Sequence, residues 1–171
     1  MKKLLSVSLI VLLSACASQT TQPEVDDLNS GKNNVGSGDT YGSGSGRPSY
    51  FNQLQDPNSI LSQRSIYYDF DSYSVKSEYR ELVLAHAKLL RDNPDASVIL
   101  QGNTDERGSR EYNLALGQRR ADSVKSMMTL SGASDNQIEA VSFGEEKLRA
   151  TGSGESAWSQ NRRTDIVYRG E

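Results

Sequence analysis

Hydrophobic and polar positions change character in clear steps along the chain. Lys2 and Lys3 precede an apolar run over residues 4–13 that is broken by Ser6 and Ser8. From there to about residue 64 the pattern is polar and without period, and residues 30–49 are rich in glycine and serine. Beyond residue 64 a folded pattern begins. Residues 65–70, Ser-Ile-Tyr-Tyr-Asp-Phe, are rich in β-formers and run into a turn-like Asp71-Ser72, which predicts a first strand. Ser77 is placed to cap a helix in which Tyr79, Leu82, Val83, His86, Leu89 and Leu90 recur at helical spacing until Pro94 forbids continuation. Residues 97–101 read as a short buried strand followed by a polar loop over 102–110. A second helix then carries Leu114, Gly117, Ala121, Val124 and Met128 on one face and stops before Gly132. Ser134-Asp135-Asn136-Gln137 has capping-box spacing for a brief helix, and residues 140–143 and 164–168 supply two more strands.

The predicted order is β-α-β-α-(α)-β-β. Helices alternating with strands cover one face of a small mixed sheet, giving an α/β (α+β) two-layer sandwich of about 105 residues. At 171 residues the chain has room for one such domain and accessory segments. Its 19 basic and 22 acidic residues leave a net charge of -3, without the one-signed excess of a protein that coats nucleic acid. His86 is the single histidine and Cys16 the single cysteine, so neither a zinc set nor an internal disulfide can form. No cofactor is expected; the glycine-rich stretch lacks both the G-x-G-x-x-G spacing and a strand leading into it.

The N-terminal run is too short to span a membrane, rising only about 15 Å as a helix, and reads as a signal peptide over residues 1–15. It ends in Leu13-Ser14-Ala15-Cys16, which resembles the lipobox of bacterial lipoproteins. That resemblance implies an acylated Cys16 as mature N-terminus, and several acyl chains at about 0.8 kcal/mol per methylene would hold it on a membrane. Ala17 and Ser18 lack the aspartate of the inner-membrane retention rule, so outer-membrane placement with the domain facing the periplasm is expected. Residues 16–64 read as the lipidated N-terminus and a flexible linker with an r.m.s. span of about 35 to 42 Å, and residues 65–171 as the domain.

Within the domain, Gly102-Asn103-Thr104-Asp105-Glu106-Arg107-Gly108-Ser109 followed by Tyr112-Asn113-Leu114-Ala115-Leu116-Gly117-Gln118-Arg119-Arg120-Ala121 resembles the signature of OmpA-type peptidoglycan-binding domains. Phe70-Asp71-Ser72-Tyr73, Val141-Ser142-Phe143-Gly144-Glu145 and Asn161-Arg162-Arg163 extend the match over residues 66–168. Asn103, where many relatives carry histidine, Ser74, where aspartate is common, and the loop over 151–156 depart from the pattern. With the lipobox and linker, the whole chain resembles lipoproteins of the Tol envelope system. That implies peptidoglycan, TolB and other Tol-system proteins as partners, in envelope integrity and constriction at cell division.

The family's ligand is the diaminopimelate of the peptide stem, whose free end carries an ammonium and a carboxylate on one carbon. Asp105 and Arg120 match the family's ligand pair: the carboxylate would accept from the ammonium, and the guanidinium would take the carboxylate through paired hydrogen bonds. Asn113 and Leu116 share that side of the helix, and the backbone near Phe70 and Asp71 would complete the cradle. Read without the motif, Asp105 and Arg120 could equally form an internal salt bridge or a helix cap. Arg107, Arg110, Arg119, Arg162 and Arg163 read as solvated charges or partner contacts. An OmpA-like lipoprotein of another envelope assembly is an alternative. So is a wall hydrolase, although Asp69, Asp71 and Asp105 lack the nucleophile or metal set that catalysis needs, and the chain is not expected to be an enzyme. Cys16→Ser should remove the protein from the membrane fraction; its persistence there after a detergent-free wash would argue against the lipid anchor.

Overall fold

The computed structural model describes residues 48–171. The expected signal peptide, Cys16 and the linker up to residue 47 lie outside the described residues. Four strands, β1 (Ser65–Tyr67), β2 (Val98–Asn103), β3 (Ile138–Gly144) and β4 (Arg163–Tyr168), form one open sheet in the order β1-β4-β2-β3. β4 runs antiparallel to both β1 and β2, while β2 and β3 are parallel. A parallel pair needs a crossover, and the long helix α3 (Arg110–Leu130) supplies it. The α/β sandwich expected from the pattern is present.

Alternation decides which side chains meet the helices. Val98 and Leu100 of β2 pair with Tyr168 and Ile166 of β4, and with Ile138 and Ala140 of β3. These face Leu82, Val83 and Leu90 of α2 (Arg80–Asp92) and Val124 and Met128 of α3 in a single core. On α3 the buried positions are Asn113, Leu116, Gly117, Arg120, Ala121, Val124 and Met128. Leu114, assigned above to the core stripe, is 50% exposed. The first turns of the inward face are occupied by polar groups, so the hydrophobic letter at 114 misplaces the stripe by one position. α3 also lies against the sheet backbone to backbone: a Cβ added at Gly102 would fall 1.9 Å from the Gly117 carbonyl oxygen. Only glycine allows that approach.

Two segments differ from expectation. Residues 50–62 fall in the stretch expected to be linker, but α1 (Tyr50–Gln55) and a 3-10 turn (Ile60–Ser62) bury Tyr50, Phe51, Leu54 and Leu61 in the core. Six residues cannot sustain a helix alone, so α1 exists by docking, which a local pattern does not display. The described domain therefore begins before residue 65. α4 (Glu155–Asn161) precedes β4 where no helix was expected, in a polar stretch with little apolar period. The brief helix expected after Ser134 is present as a 3-10 turn (Asp135–Gln137), and the backbone N–H of Ser134 donates to the Gln137 side chain at 3.2 Å, as the capping-box spacing predicts.

His86 locks the re-entrant segment. It is fully buried, with Nε2 3.0 Å from the Gln63 carbonyl oxygen and Nδ1 2.9 Å from the Tyr168 hydroxyl. The carbonyl can only accept, so Nε2 carries the proton and Nδ1 accepts from Tyr168. Burial pushes the His86 pKa down to about 4. In the unfolded chain the ring protonates below about 6.5, so folding stability should be full above that value and fall as pH drops from 6.5 towards 4. The expected loss is about 3 kcal/mol, to be measured as thermal midpoint against pH, and a flat profile across that window would contradict the buried neutral ring.

Candidate functional site

Two loops, one after β1 and one after β2, meet at the C-terminal end of β2. Between Gly102 and Asn103 the pairing with β3 shifts register, and the chain leaves the sheet into the loop that carries Asp105. Ser109 ends this loop as the N-cap of α3, its side chain accepting from the Tyr112 N–H at 3.2 Å. After β1, the Tyr68 N–H still donates to the Arg162 carbonyl at 2.9 Å, and the chain then turns through Asp71, whose φ of 55° is left-handed. Aspartate tolerates that region better than most residues.

A cleft of about 250 Å3 lies between these loops and α3. It is lined by Phe70, Asp71, Asp105, Asn113, Leu116 and Arg120, so the structure brings all six domain residues of the predicted site together. Thr104, Arg107, Gly108, Tyr112 and Arg162 complete the lining. The space suits an amino-acid head group better than a larger ligand.

Arg120 sits in the wall with no exposed surface. Its Nε donates to the Ser72 carbonyl (2.8 Å), Nη1 to Asn103 (2.8 Å) and Nη2 to Asp69 (3.3 Å). Burial pushes its pKa down to about 10, so it stays protonated at neutral pH. Three of five N–H groups are engaged, and Arg120 also lines the cleft. Arg120 is therefore a structural clamp as well as a candidate ligand group.

Asp105 is 4% exposed. Oδ1 accepts from the Arg107 backbone N–H (3.1 Å) and Nε (3.0 Å), and Oδ2 from Arg107 Nη2 (2.7 Å) and Arg162 Nη1 (3.2 Å). Burial raises its pKa, but the hydrogen bonds from Arg107 and Arg162 outweigh that and hold the carboxyl below its ordinary value. Arg107 and Arg162, read above as solvated charges, are corrected: both converge on Asp105. Arg162 is buried and also donates to the Tyr68 carbonyl (3.1 Å) and to Glu155. Arg163 too is buried, paired with Asp165 at 2.9 Å on the sheet. Arg110 does pair at the surface, with Glu146. The arginine of the Asn161-Arg162-Arg163 motif was visible as a motif member, whereas its direction required the sheet.

The remaining lining is held from outside. Tyr112 donates to the Asp71 carboxylate, and Asn113 Nδ2 donates to Glu145 at 2.6 Å. The Thr104 hydroxyl is buried without a protein partner while Thr104 lines the cleft, a feature sequence reasoning missed. Among the described residues no group of three or more His, Cys, Asp or Glu is placed to hold a metal ion. The cleft thus offers an anion, buried cations, an unpaired hydroxyl and the apolar walls of Phe70 and Leu116, a set suited to a small zwitterion.

Residues 67–162 match the model of the OmpA family. The chain is similar to a peptidoglycan-associated lipoprotein of Legionella pneumophila, 38% identical over 168 residues that cover 96% of this chain and 92% of that one. It is 46% identical over 110 residues to a peptidoglycan-associated lipoprotein of Pasteurella multocida (strain Pm70), covering 63% of this chain and 73% of that protein. Among solved structures, the peptidoglycan-associated lipoprotein from Burkholderia pseudomallei superposes with a TM-score of 0.67 at 54% identity, covering 68% of this chain and 99% of that one.

Because Arg120 is itself buried and ties three backbone carbonyls together, one buried and two partly buried, Arg120→Ala should destabilise the fold by about 3 kcal/mol or more, read as a fall of about 10 °C in thermal midpoint. An unchanged midpoint would show that the clamp is dispensable. Loss of ligand binding in this variant is therefore not by itself evidence of a ligand contact.

Proposed function

The chain belongs to the OmpA family, and on that premise we propose that it is a peptidoglycan-binding lipoprotein of the outer membrane that takes the diaminopimelate head group of the wall in the cleft around Asp105. The observation that carries the reading is the convergence of Asp105 and Arg120, one anion and one cation, in a cleft the size of one amino-acid head. The ligand ammonium goes to Asp105 and its carboxylate to the Arg120 guanidinium. Thr104 supplies a further hydrogen bond, and Phe70 and Leu116 cover the aliphatic stem. A wall with lysine in place of diaminopimelate lacks that carboxylate and leaves the guanidinium without its partner, which costs about 1 to 3 kcal/mol.

The role is binding rather than catalysis. The Asp105 carboxylate is engaged by Arg107 and Arg162, that of Asp71 by Tyr112, and the single histidine is buried against Gln63 and Tyr168. Individual contacts of this kind give modest affinity, and many anchored copies facing one polymer hold collectively. Acylation at Cys16 and a place in the Tol system, with TolB as partner, complete the reading.

Asp105→Asn keeps the shape and removes the charge, so co-sedimentation with purified sacculi should weaken at least about tenfold while the circular dichroism melt stays cooperative. Wild-type sedimentation by the variant would refute the assignment. Failure of the wild-type chain to capture TolB, with sacculus binding intact, would place the protein in another envelope assembly.

A further inference from the structure

Asp105 has no acceptor position to spare. A carboxylate offers about four lone-pair positions, and the four donors from Arg107 and Arg162 occupy them. An incoming ammonium must therefore displace one of its present partners. The backbone N–H of Arg107 is fixed by the loop, and Arg162 is 5% exposed at its side chain and tied to Tyr68 and Glu155. The Arg107 side chain differs: it is 32% exposed, and its other neighbours are two rings, Phe70 with its centroid 4.1 Å from the guanidinium carbon and Trp158 at 4.0 Å.

We propose that ligand binding at this site is an exchange of cations, in which the Arg107 guanidinium is the resident occupant of Asp105 and yields its place to the ligand ammonium. The inference rests on the reading given under Proposed function and makes Arg107 a specificity-determining residue. A guanidinium held by a forked salt bridge between two aromatic faces is a strong competitor for a lone amine, which gains on Asp105 only what Arg107 gives up. A ligand that also brings a carboxylate to Arg120 gains a second contact with no resident to displace. The resident cation thus suppresses amines and admits the zwitterion. Glu106 and Glu155 lie close enough to stabilise the charge of Arg107, so the released guanidinium has acidic neighbours nearby.

The slot contains its own reporter. Trp158 is the single tryptophan of the chain, stacks on Arg107 and does not line the cleft, so its emission follows the guanidinium more than the ligand. The full chain in detergent and its Arg107→Gln variant are titrated with free meso-diaminopimelate, by calorimetry and by tryptophan fluorescence. The expected result is about tenfold tighter binding by the variant, with an emission change on saturation in the wild type that is absent from Arg107→Gln. Equal or weaker binding by the variant overturns the exchange and leaves the wall-binding reading standing. Absence of binding by both proteins, together with no retention of the wild type on sacculi, overturns that reading and the exchange with it.

Discussion

A guanidinium shut off from water holds together segments that are distant in the chain. Arg120 projects from the middle of α3 and ties the carbonyls of Asp69 and Ser72, in the turn after β1, to that of Asn103 at the end of β2. Each carbonyl would be costly to bury unpaired, and the guanidinium would be far more so. The charge and its acceptors are mutually obligatory, and the loop architecture around the cleft follows from their pairing. The helix comes close enough because Gly102 and Gly117 let two backbones touch. One turn beyond that contact, Arg120 is delivered to the end of the sheet.

The same economy governs the anionic side. Asp105 leaves the sheet where β2 breaks register with β3, and two arginines from different parts of the chain converge on it. Arg162 sits between α4 and the last strand and is locked, whereas Arg107 lies two residues from Asp105 on the same loop and is partly accessible. A site whose charges are all satisfied before a ligand arrives is stable when empty. It also demands that a ligand replace what it displaces, which favours two-point recognition over simple charge attraction.

Periodicity and spacing were sufficient for the sandwich, the four strands and both principal helices, while the six residues of the cleft came from the resemblance to the OmpA-type motif. Amphipathic patterns encode which face of an element is buried, and the OmpA-type motif ties Asp105 to Arg120 at a fixed distance along the chain. What they could not encode is the identity of partners that approach from elsewhere. α1 is too short to be a helix without the surface it docks on. Leu114 is apolar yet half exposed, while Asn113 and Arg120 are polar yet buried, because local hydrophobicity is overruled where a helix face serves a cleft. Arg107 and Arg162 look like any surface arginine until three-dimensional packing places both on one carboxylate. The sequence by itself determined the elements and the charges available to a ligand; tertiary structure decided which charges are clamps, which is the resident of the site and which stay free, since burial and pairing are properties of neighbours that the linear chain keeps far apart.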